Sequence, residues 1–224
     1  VELISFLLCK RLNLPLSRDL IFFAIADEEA GGEYGVEWFA RRHPELLQAD
    51  YVINEGAGGM LRFLGSERPI FGFAAAEKSP VWLRLRTEGR PGHGSVPHDD
   101  NALERLARAL VRIQEWKRPR RLVPEVVPFF QGLAEAGILE PVADEAAADR
   151  LAATNLLINA LTMNTISITS LTSGVKVNVI PAHAEATLDC RLLPGQPIES
   201  FVDELQTVVD DPRVDVQRIF AAEG

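Results

Sequence analysis

The sequence predicts a mixed α/β fold: part of a parallel-sheet domain over residues 1–77, followed by a ferredoxin-like β-α-β-β-α-β domain over residues 78–224. In the first part, apolar runs and a helical pattern follow one another as strand, helix and strand, which is typical of a parallel sheet. After residue 78 the strands alternate apolar and polar side chains. This alternation indicates an antiparallel sheet covered on one face only.

The elements of the first part follow from local patterns. Residues 1–12 form an apolar helical segment that ends before an Asn-Leu-Pro sequence. The apolar run at 20–26 predicts a buried strand, and a helix is expected over about 33–42. A short apolar run at 51–53 predicts the next strand and leads directly into Asn54-Glu55-Gly56.

The second part contains the β-α-β-β-α-β order. Its helix after Asn101 carries an apolar stripe of Leu103, Leu106, Leu110 and Ile113, which predicts one buried face. Residues 118–162 do not fit the order and predict an inserted helical segment, since they combine four prolines with an Ala-rich tract. The remaining predicted elements are strands at 81–87, 165–169 and 184–192, a helix from about 198 and a last strand from 214.

Composition limits the classes of partner. The net charge of −9 and pI near 5.0 argue against a nucleic-acid backbone or an anionic membrane surface. No run of about 18 apolar residues is present, so no membrane-spanning helix is predicted. The two cysteines, Cys9 and Cys190, lie far apart among apolar neighbours and are expected to be buried free thiols.

Three glutamates form the first candidate group. Glu28 and Glu29 follow the apolar run at 20–26, and Glu55 follows the run at 51–53. At the carboxyl ends of parallel strands these carboxylates could meet at one rim and hold divalent cations. Two other interpretations remain open at this point: a solvated acidic loop, and the site of a magnesium-dependent phosphotransferase.

A histidine and an asparagine form the second group. His93 is flanked by glycines in Gly92-His93-Gly94-Ser95-Val96-Pro97, so its ring could approach a ligand, although a surface turn would explain it equally well. Asn178 precedes Val179-Ile180-Pro181 and could be a turn former or could present its amide to a substrate oxygen. The histidines His43, His98 and His183 are given ordinary structural roles.

Taken together and in order, five motifs resemble one protein family. They are Asp27-Glu28-Glu29-Ala30-Gly31-Gly32, Asn54-Glu55-Gly56, Gly92–Pro97 with Asn101-Ala102, Asn178–Pro181, and Asp189-Cys190-Arg191 with Pro194-Gly195. The family is that of the di-zinc metallopeptidases and deacylases: aminoacylase, carboxypeptidase G, carboxypeptidase S, acetylornithine deacetylase and succinyl-diaminopimelate desuccinylase. The resemblance covers nearly the whole chain except the 118–162 insertion.

The resemblance implies a role for each candidate. Glu28 resembles the general base, while Glu29 and Glu55 resemble terminal ligands of two zinc ions, for which cobalt or manganese are alternatives. Asp27 is expected to support Glu28 and Glu29. His93 resembles the histidine that stabilises the oxyanion across a dimer, and Asn178 resembles a substrate-binding asparagine. The implied reaction is hydrolysis of an amide bond in a small peptide or N-acyl amino acid by a zinc-activated water.

The resemblance also implies an architecture. Residues 1–77 resemble part of the family's catalytic domain, and residues 78–224 resemble its lid, through which the enzymes form homodimers. The family's upstream His-x-Asp and its last histidine ligand have no counterpart here, so we expect an internal segment with an incomplete metal site. A cytoplasmic location is expected. The alternative function is a non-catalytic dimerisation or scaffold protein derived from the same family.

Overall fold

The structure, a computed structural model, describes residues 1–53 and 58–222 and divides the chain into two compact units, 1–55 and 56–224. Within the described residues the helices are α1 (Glu2–Arg11), α2 (Val36–Arg42), α3 (Ala102–Glu115), α4 (Val127–Glu135), α5 (Glu145–Ala152), α6 (Leu156–Thr162) and α7 (Ile198–Val209). The strands are β1 (Gly59–Met60), β2 (Ile70–Phe71), β3 (Ser79–Glu88), β4 (Gly92–His93), β5 (Thr165–Ser173), β6 (Val179–Ile180), β7 (His183–Leu192) and β8 (Val214–Ala221). Short 3-10 turns occupy Glu28–Ala30, Pro44–Leu47 and Phe63–Gly65.

The first unit contains the two helices predicted from its sequence but not the predicted strands. Both α1 and α2 fall inside the expected ranges. The runs at 20–26 and 51–53 have no strand structure, so these two predictions were wrong. A strand exists only when a neighbour accepts and donates its backbone hydrogen bonds, and the described residues of this unit form no strand pair. The parallel sheet expected over residues 1–77 is therefore absent from the described residues.

Aromatic contacts hold the segment at 20–26 against the helices instead. The rings of Phe22 and Phe6 lie 5.9 Å apart, and Phe23 meets Phe39 edge-on at 4.8 Å. These contacts leave the segment largely open, since Ile21 keeps 65% of its surface exposed. An apolar sequence is thus necessary for a buried strand, but the position of its neighbours decides whether one forms.

The second unit has the predicted ferredoxin-like arrangement. Its four-stranded sheet has the order β5-β7-β3-β8, and every neighbouring pair is antiparallel. With α3 between β3 and β5 and α7 between β7 and β8, the chain order is β-α-β-β-α-β. The prediction of an antiparallel ferredoxin-like domain is confirmed.

The core of this unit follows the two periodicities of the sequence. On β3, Val81, Leu83 and Leu85 point to one face and are fully buried, while the residues between them remain partly exposed. The α3 stripe packs against this face, with Leu106 and Ile113 at its centre. The strands and helices are thus joined by one apolar layer, which also contains Phe201, Leu205 and Val209 of α7.

Cys190 lies in this layer and Cys9 lies in the other unit. Cys190 is completely buried on β7, and burial, followed by the charge of Asp189, raises the pKa of its thiol to about 12. Cys9 lies on α1, is partly buried and is also a free thiol. The expectation of free cysteines holds, although only Cys190 is fully buried.

The segment at 118–162 contains α4, α5 and α6 and builds a second, smaller core. Phe130, Leu133 and Ile158 are its buried centre, and Phe63 from the segment between β1 and β2 packs into it. Lys78 connects this core to the sheet, because its Nζ donates to the carbonyls of Ala160 and Met163 and to Thr165 Oγ1. The insertion is therefore attached by both apolar and polar contacts.

None of the helices in the described residues is both long and apolar enough to cross a membrane.

Candidate functional site

The acidic turn that carries Glu28 and Glu29 is shaped by backbone conformations that few residues adopt. Asp27 has a φ of 71°, and Gly31 follows the turn with a φ of 110°. Asp27 Oδ2 accepts a hydrogen bond of 2.9 Å from the backbone N–H of Tyr34, and its carbonyl accepts one from Gly32. Asp27 therefore supports the turn, and Glu28 and Glu29 project from it as exposed carboxylates.

The described residues do not by themselves form a metal centre. Across 1–53 and 58–222, no three His, Cys, Asp or Glu side chains come close enough together to hold a metal ion. Glu28 and Glu29 offer two adjacent carboxylates on one short turn, and Glu55 lies outside the described residues. A zinc site typically needs at least three protein ligands, so the donor set of the described residues does not fit one.

His93 and Asn178 are brought together by a short two-stranded ribbon formed by β4 and β6. The ribbon pairs Gly92 with Ile180 and His93 with Val179 in antiparallel register. One residue further along, the N–H of Gly94 donates to the carbonyl of Asn178 at 2.8 Å. Two candidates separated by 85 positions in the sequence (178 − 93) thus belong to one local structure in the second unit.

The ribbon has an outer face and a packed face. Because neighbouring residues on a strand point to opposite sides, His93 and Val179 share the outer face and are exposed. Gly92 and Ile180 share the other face, where a side chain added at Gly92 would approach within 3.0 Å of His98 Nε2. His93 is thus presented to solvent on the face of the ribbon opposite His98.

The exposed ring of His93 is held by its own loop. Nδ1 of His93 lies 2.7 Å from the hydroxyl of Ser95, and the backbone N–H of Ser95 donates to the same nitrogen at 3.2 Å. The N–H of Val96 donates to the His93 carbonyl at 2.9 Å, which closes a β-turn over residues 93–96. These contacts leave Nε2 as the outward ring nitrogen.

The loop that carries His93 is closed at its base. The N–H of Arg90 donates to the carbonyl of Asp100 at 2.9 Å, and Asn101 caps α3 by accepting from the N–H groups of Leu103 and Glu104. Gly89 is required here, because a side-chain carbon would lie 2.5 Å from the Asp100 carbonyl oxygen. The sequence predicted that a cap begins α3, but it did not predict the hydrogen bond between Arg90 and Asp100 that closes the loop.

Arg105 is the residue that sequence reasoning missed. Its side chain is only 1% exposed, and its guanidinium donates to Asp100 Oδ1 at 2.8 Å and to Thr87 and the carbonyl of Glu88. The hydrogen bond from Arg105, supported by Arg213, lowers the pKa of the Asp100 carboxyl below its usual range. Its signal in the sequence was an arginine on the otherwise apolar stripe of α3.

His98 was expected to have an ordinary structural role, but within the described part of the chain its buried ring lacks the hydrogen bonds that such a role usually provides. Both of its ring nitrogens are buried, and neither has a hydrogen-bond partner among the described residues. A side-chain carbon at Gly92 would come within 3.0 Å of His98 Nε2, which places His98 on the face of the ribbon opposite His93. The sequence offered no signal that separated this histidine from an exposed one.

Comparison with known proteins extends this picture. The Peptidase dimerisation domain of the M20 family matches residues 75–216. Aminoacylase-1 of Sus scrofa is 30% identical over 185 residues, and the match covers 82% of this chain and 36% of that protein. Probable carboxypeptidase S-like 2 of Dictyostelium discoideum is 28% identical over 217 residues, which are 89% of this chain and 40% of that protein.

Among solved structures, the M20 family metallo-carboxypeptidase Sso-CP2 from Sulfolobus solfataricus is similar with a TM-score of 0.50. The match covers 85% of this chain and 55% of that chain at 16% identity, which supports the fold alone. The chain spans well under half the length of the two curated relatives. Since the family match extends over more than half of its residues, the chain belongs to the M20 peptidase dimerisation domain family.

Proposed function

We propose that this chain is part of a hydrolase that cleaves the amide bond of a small peptide or an N-acyl amino acid. The observation that carries the proposal is the ribbon of β4 and β6, which joins His93 and Asn178 within the region matched by the peptidase dimerisation domain. The names of the relatives, aminoacylase and carboxypeptidase, support the same class of reaction.

In this proposal each polar residue has a separate task. Glu28, an exposed carboxylate on a turn supported by Asp27, accepts a proton from the attacking water. His93 donates a hydrogen bond to the oxyanion that forms on the carbonyl oxygen, and Asn178 positions the substrate. The hydrogen bonds that hold the His93 loop support this role, because preorganised donors need no reorganisation during the reaction.

Two zinc ions per subunit are proposed for the complete enzyme, with cobalt or manganese as alternatives, and Glu29 and Glu55 are proposed as ligands. Because the donor set of the described residues does not complete such a site, we expect the 224-residue chain to bind fewer than two zinc ions tightly. Zinc titration followed by dialysis and elemental analysis measures this stoichiometry. Two tightly held zinc ions per chain would contradict the expectation of an incomplete site.

The dimer is proposed to form through the second unit. Strand β5 is at an edge of the sheet and pairs only with β7 among the described residues, so its other edge is open to a partner. Ile168 and Leu171 on this strand are 44% and 52% exposed. An open edge with apolar side chains supports pairing with a second copy, in line with the dimerisation domain that matches here.

The decisive experiment uses the protein as its gene encodes it, including any residues that flank these 224. Purified with zinc, it should hydrolyse N-acetyl amino acids or dipeptides, and His93→Ala should lower kcat by about 10²–10³-fold, the effect of losing one oxyanion donor. His183→Ala is the matched control, because His183 is also exposed and lies at the start of β7, outside the proposed site. A dimeric protein without hydrolytic activity would favour the alternative, a non-catalytic dimerisation or scaffold protein.

A further inference from the structure

The contacts of His93 determine which of its ring nitrogens carries the proton. The backbone N–H of Ser95 points at Nδ1 of His93, 3.2 Å away, and a backbone N–H can only donate. Nδ1 must therefore be an acceptor. A neutral imidazole has one N–H, so its proton then belongs on Nε2.

The hydroxyl of Ser95 is compatible with this assignment. Its Oγ lies 2.7 Å from the same nitrogen and can donate its proton there. In the other tautomer, Nδ1–H could still donate to the hydroxyl oxygen, but it would then face the Ser95 amide N–H, so that two donors would oppose each other. The hydroxyl can bond either tautomer, so the backbone N–H of Ser95 is the group that favours Nε2–H.

The position of the Ser95 amide is itself fixed. Ser95 lies inside the turn that the Val96 N–H to His93 carbonyl hydrogen bond closes, and Gly94 is bonded to Asn178 across the ribbon. The amide cannot rotate away from the ring without breaking these bonds. The ring nitrogen thus receives its donor from a backbone that is held on both sides.

We propose that Ser95 is a positioning residue whose backbone N–H fixes His93 as the Nε2–H tautomer and directs this Nε2–H to the outer face of the ribbon. There it is available as a hydrogen-bond donor to a carbonyl oxygen or oxyanion. The last step rests on the proposed amide hydrolysis, while the tautomer itself is a property of this chain alone. Neutral His93 would then be able to donate without first gaining a proton.

The test is the tautomer of each histidine, measured by ¹⁵N–¹H correlation of the imidazole rings in the 224-residue chain. The spectrum is recorded at a pH about two units above the ordinary imidazole pKa, where a ring without special contacts is neutral. His93→Gln identifies the signals of His93. We expect the Nε2–H pattern for His93, and a predominant Nδ1–H pattern would overturn the proposal.

His43 supplies a contrast within the same spectrum. Its Nδ1 lies 3.3 Å from a carboxylate oxygen of Glu45, which can only accept, so the neutral ring of His43 should favour the Nδ1–H tautomer. The two histidines are both exposed, and they differ in whether a donor or an acceptor faces Nδ1. Opposite patterns for His43 and His93 support the proposal.

Two variants separate the side chain from the main chain of Ser95. Ser95→Ala keeps the amide but removes the hydroxyl, which can donate to Nδ1 or accept from Nδ1–H, so we expect the Nε2–H pattern of His93 to persist. Ser95→Thr keeps both donors and should retain the wild-type pattern. A predominant Nδ1–H pattern in Ser95→Ala would show that the hydroxyl sets the tautomer and would overturn the role of the amide.

These outcomes are independent of catalysis. If the protein does not hydrolyse amides but His93 has the Nε2–H pattern, the proposed function fails and the positioning role of Ser95 stands. If hydrolysis occurs and His93 has the Nδ1–H pattern, the positioning role fails alone.

Discussion

Arg105 and Asp100 form an ion pair of 2.8 Å in which the arginine is only 1% exposed and the aspartate is 39% exposed. The pair connects α3 to the end of the loop that presents His93, and Arg105 also binds the last residues of β3. The buried guanidinium of Arg105 stabilises the second unit through all of these partners together, and it also forms a longer ion pair of 3.7 Å with the Asp211 carboxylate.

Replacing this arginine should therefore destabilise the second unit. Arg105→Met leaves the Glu88 carbonyl and Thr87 without their donor, and we expect the free energy of unfolding to fall by about 2–4 kcal/mol. Urea unfolding monitored by circular dichroism measures the change. The control is Arg108→Met on the same helix, where Arg108 is 58% exposed and its pair with Glu104 should contribute less than about 0.5 kcal/mol. Equal losses in both variants would contradict the structural role of Arg105.

The close approach at Gly89 leads to a second prediction. A side-chain carbon there would lie 2.5 Å from the Asp100 carbonyl oxygen and 2.7 Å from the Ala102 nitrogen, and both are backbone atoms that cannot move independently. We expect Gly89→Ala to destabilise by about 1–3 kcal/mol. Gly132→Ala is the matched control, since it lies inside α4 with open space around it and should stabilise by about 0.5–1 kcal/mol. Thermal unfolding of the two variants should thus shift in opposite directions, and a shared direction would refute the predicted steric conflict.

Lys78 predicts a dependence of stability on pH. Burial, followed by the charges of Arg191 and Arg118, lowers the pKa of Lys78 from 10.5 to about 8. Because the folded value is below the unfolded one, the unfolded chain binds more protons between pH 8 and 10.5, and the free energy of unfolding rises with pH in this window. Lys78→Met has no amine at this position, so its free energy of unfolding lacks this dependence on pH. The wild type should therefore gain stability relative to the variant as the pH increases from 8 to 10.5, as measured by urea unfolding at several pH values. A difference that does not change with pH would rule out the lowered pKa.

The open edge of β5 predicts the effect of charge on dimerisation. We expect the wild-type chain to be a dimer and Ile168→Glu or Leu171→Glu to shift it towards monomer, because two carboxylates would then be forced together along the paired edges. Size-exclusion chromatography with light scattering measures the change in mass. Leu156→Glu is the control, since Leu156 is 86% exposed on α6, outside the sheet. Loss of the dimer in Leu156→Glu alone would place the interface on the insertion instead.

The sequence predicted the elements whose stability comes from their own periodicity. The alternation on β3 and the stripe on α3 each specify a buried face without reference to distant residues, and both lie where expected. The run at 20–26 failed for the complementary reason. A strand at 20–26 would need a neighbouring strand to pair with, and the described residues of the first unit contain none. The composition of the run carries no information about such a pairing strand.

In the candidate site, too, the features set by local motifs were predicted and those set by distant residues were not. His93 and Asn178 were identified from their motifs, but their proximity depends on pairing between β4 and β6, which are distant in sequence and too short to have a recognisable pattern. Arg105 was missed because an arginine on an apolar stripe is ordinarily assigned to solvent, and only its acceptors reveal why it is buried. Glu28 and Glu29 lie on a common turn, while Glu55 and its proposed role remain a prediction.

The two free thiols have a practical consequence, since each compact unit contains one of them. Cys190 is completely buried in β7 and its thiol stays protonated at neutral pH, so a labelling reagent can reach it only after the sheet has opened. Cys9, which is partly exposed, should be labelled in the intact molecule. A single time course of labelling, followed by mass spectrometry, would therefore give two rates. The labelling rate of Cys9 reports the accessibility of the first unit, and that of Cys190 reports how fast the sheet of the second unit opens.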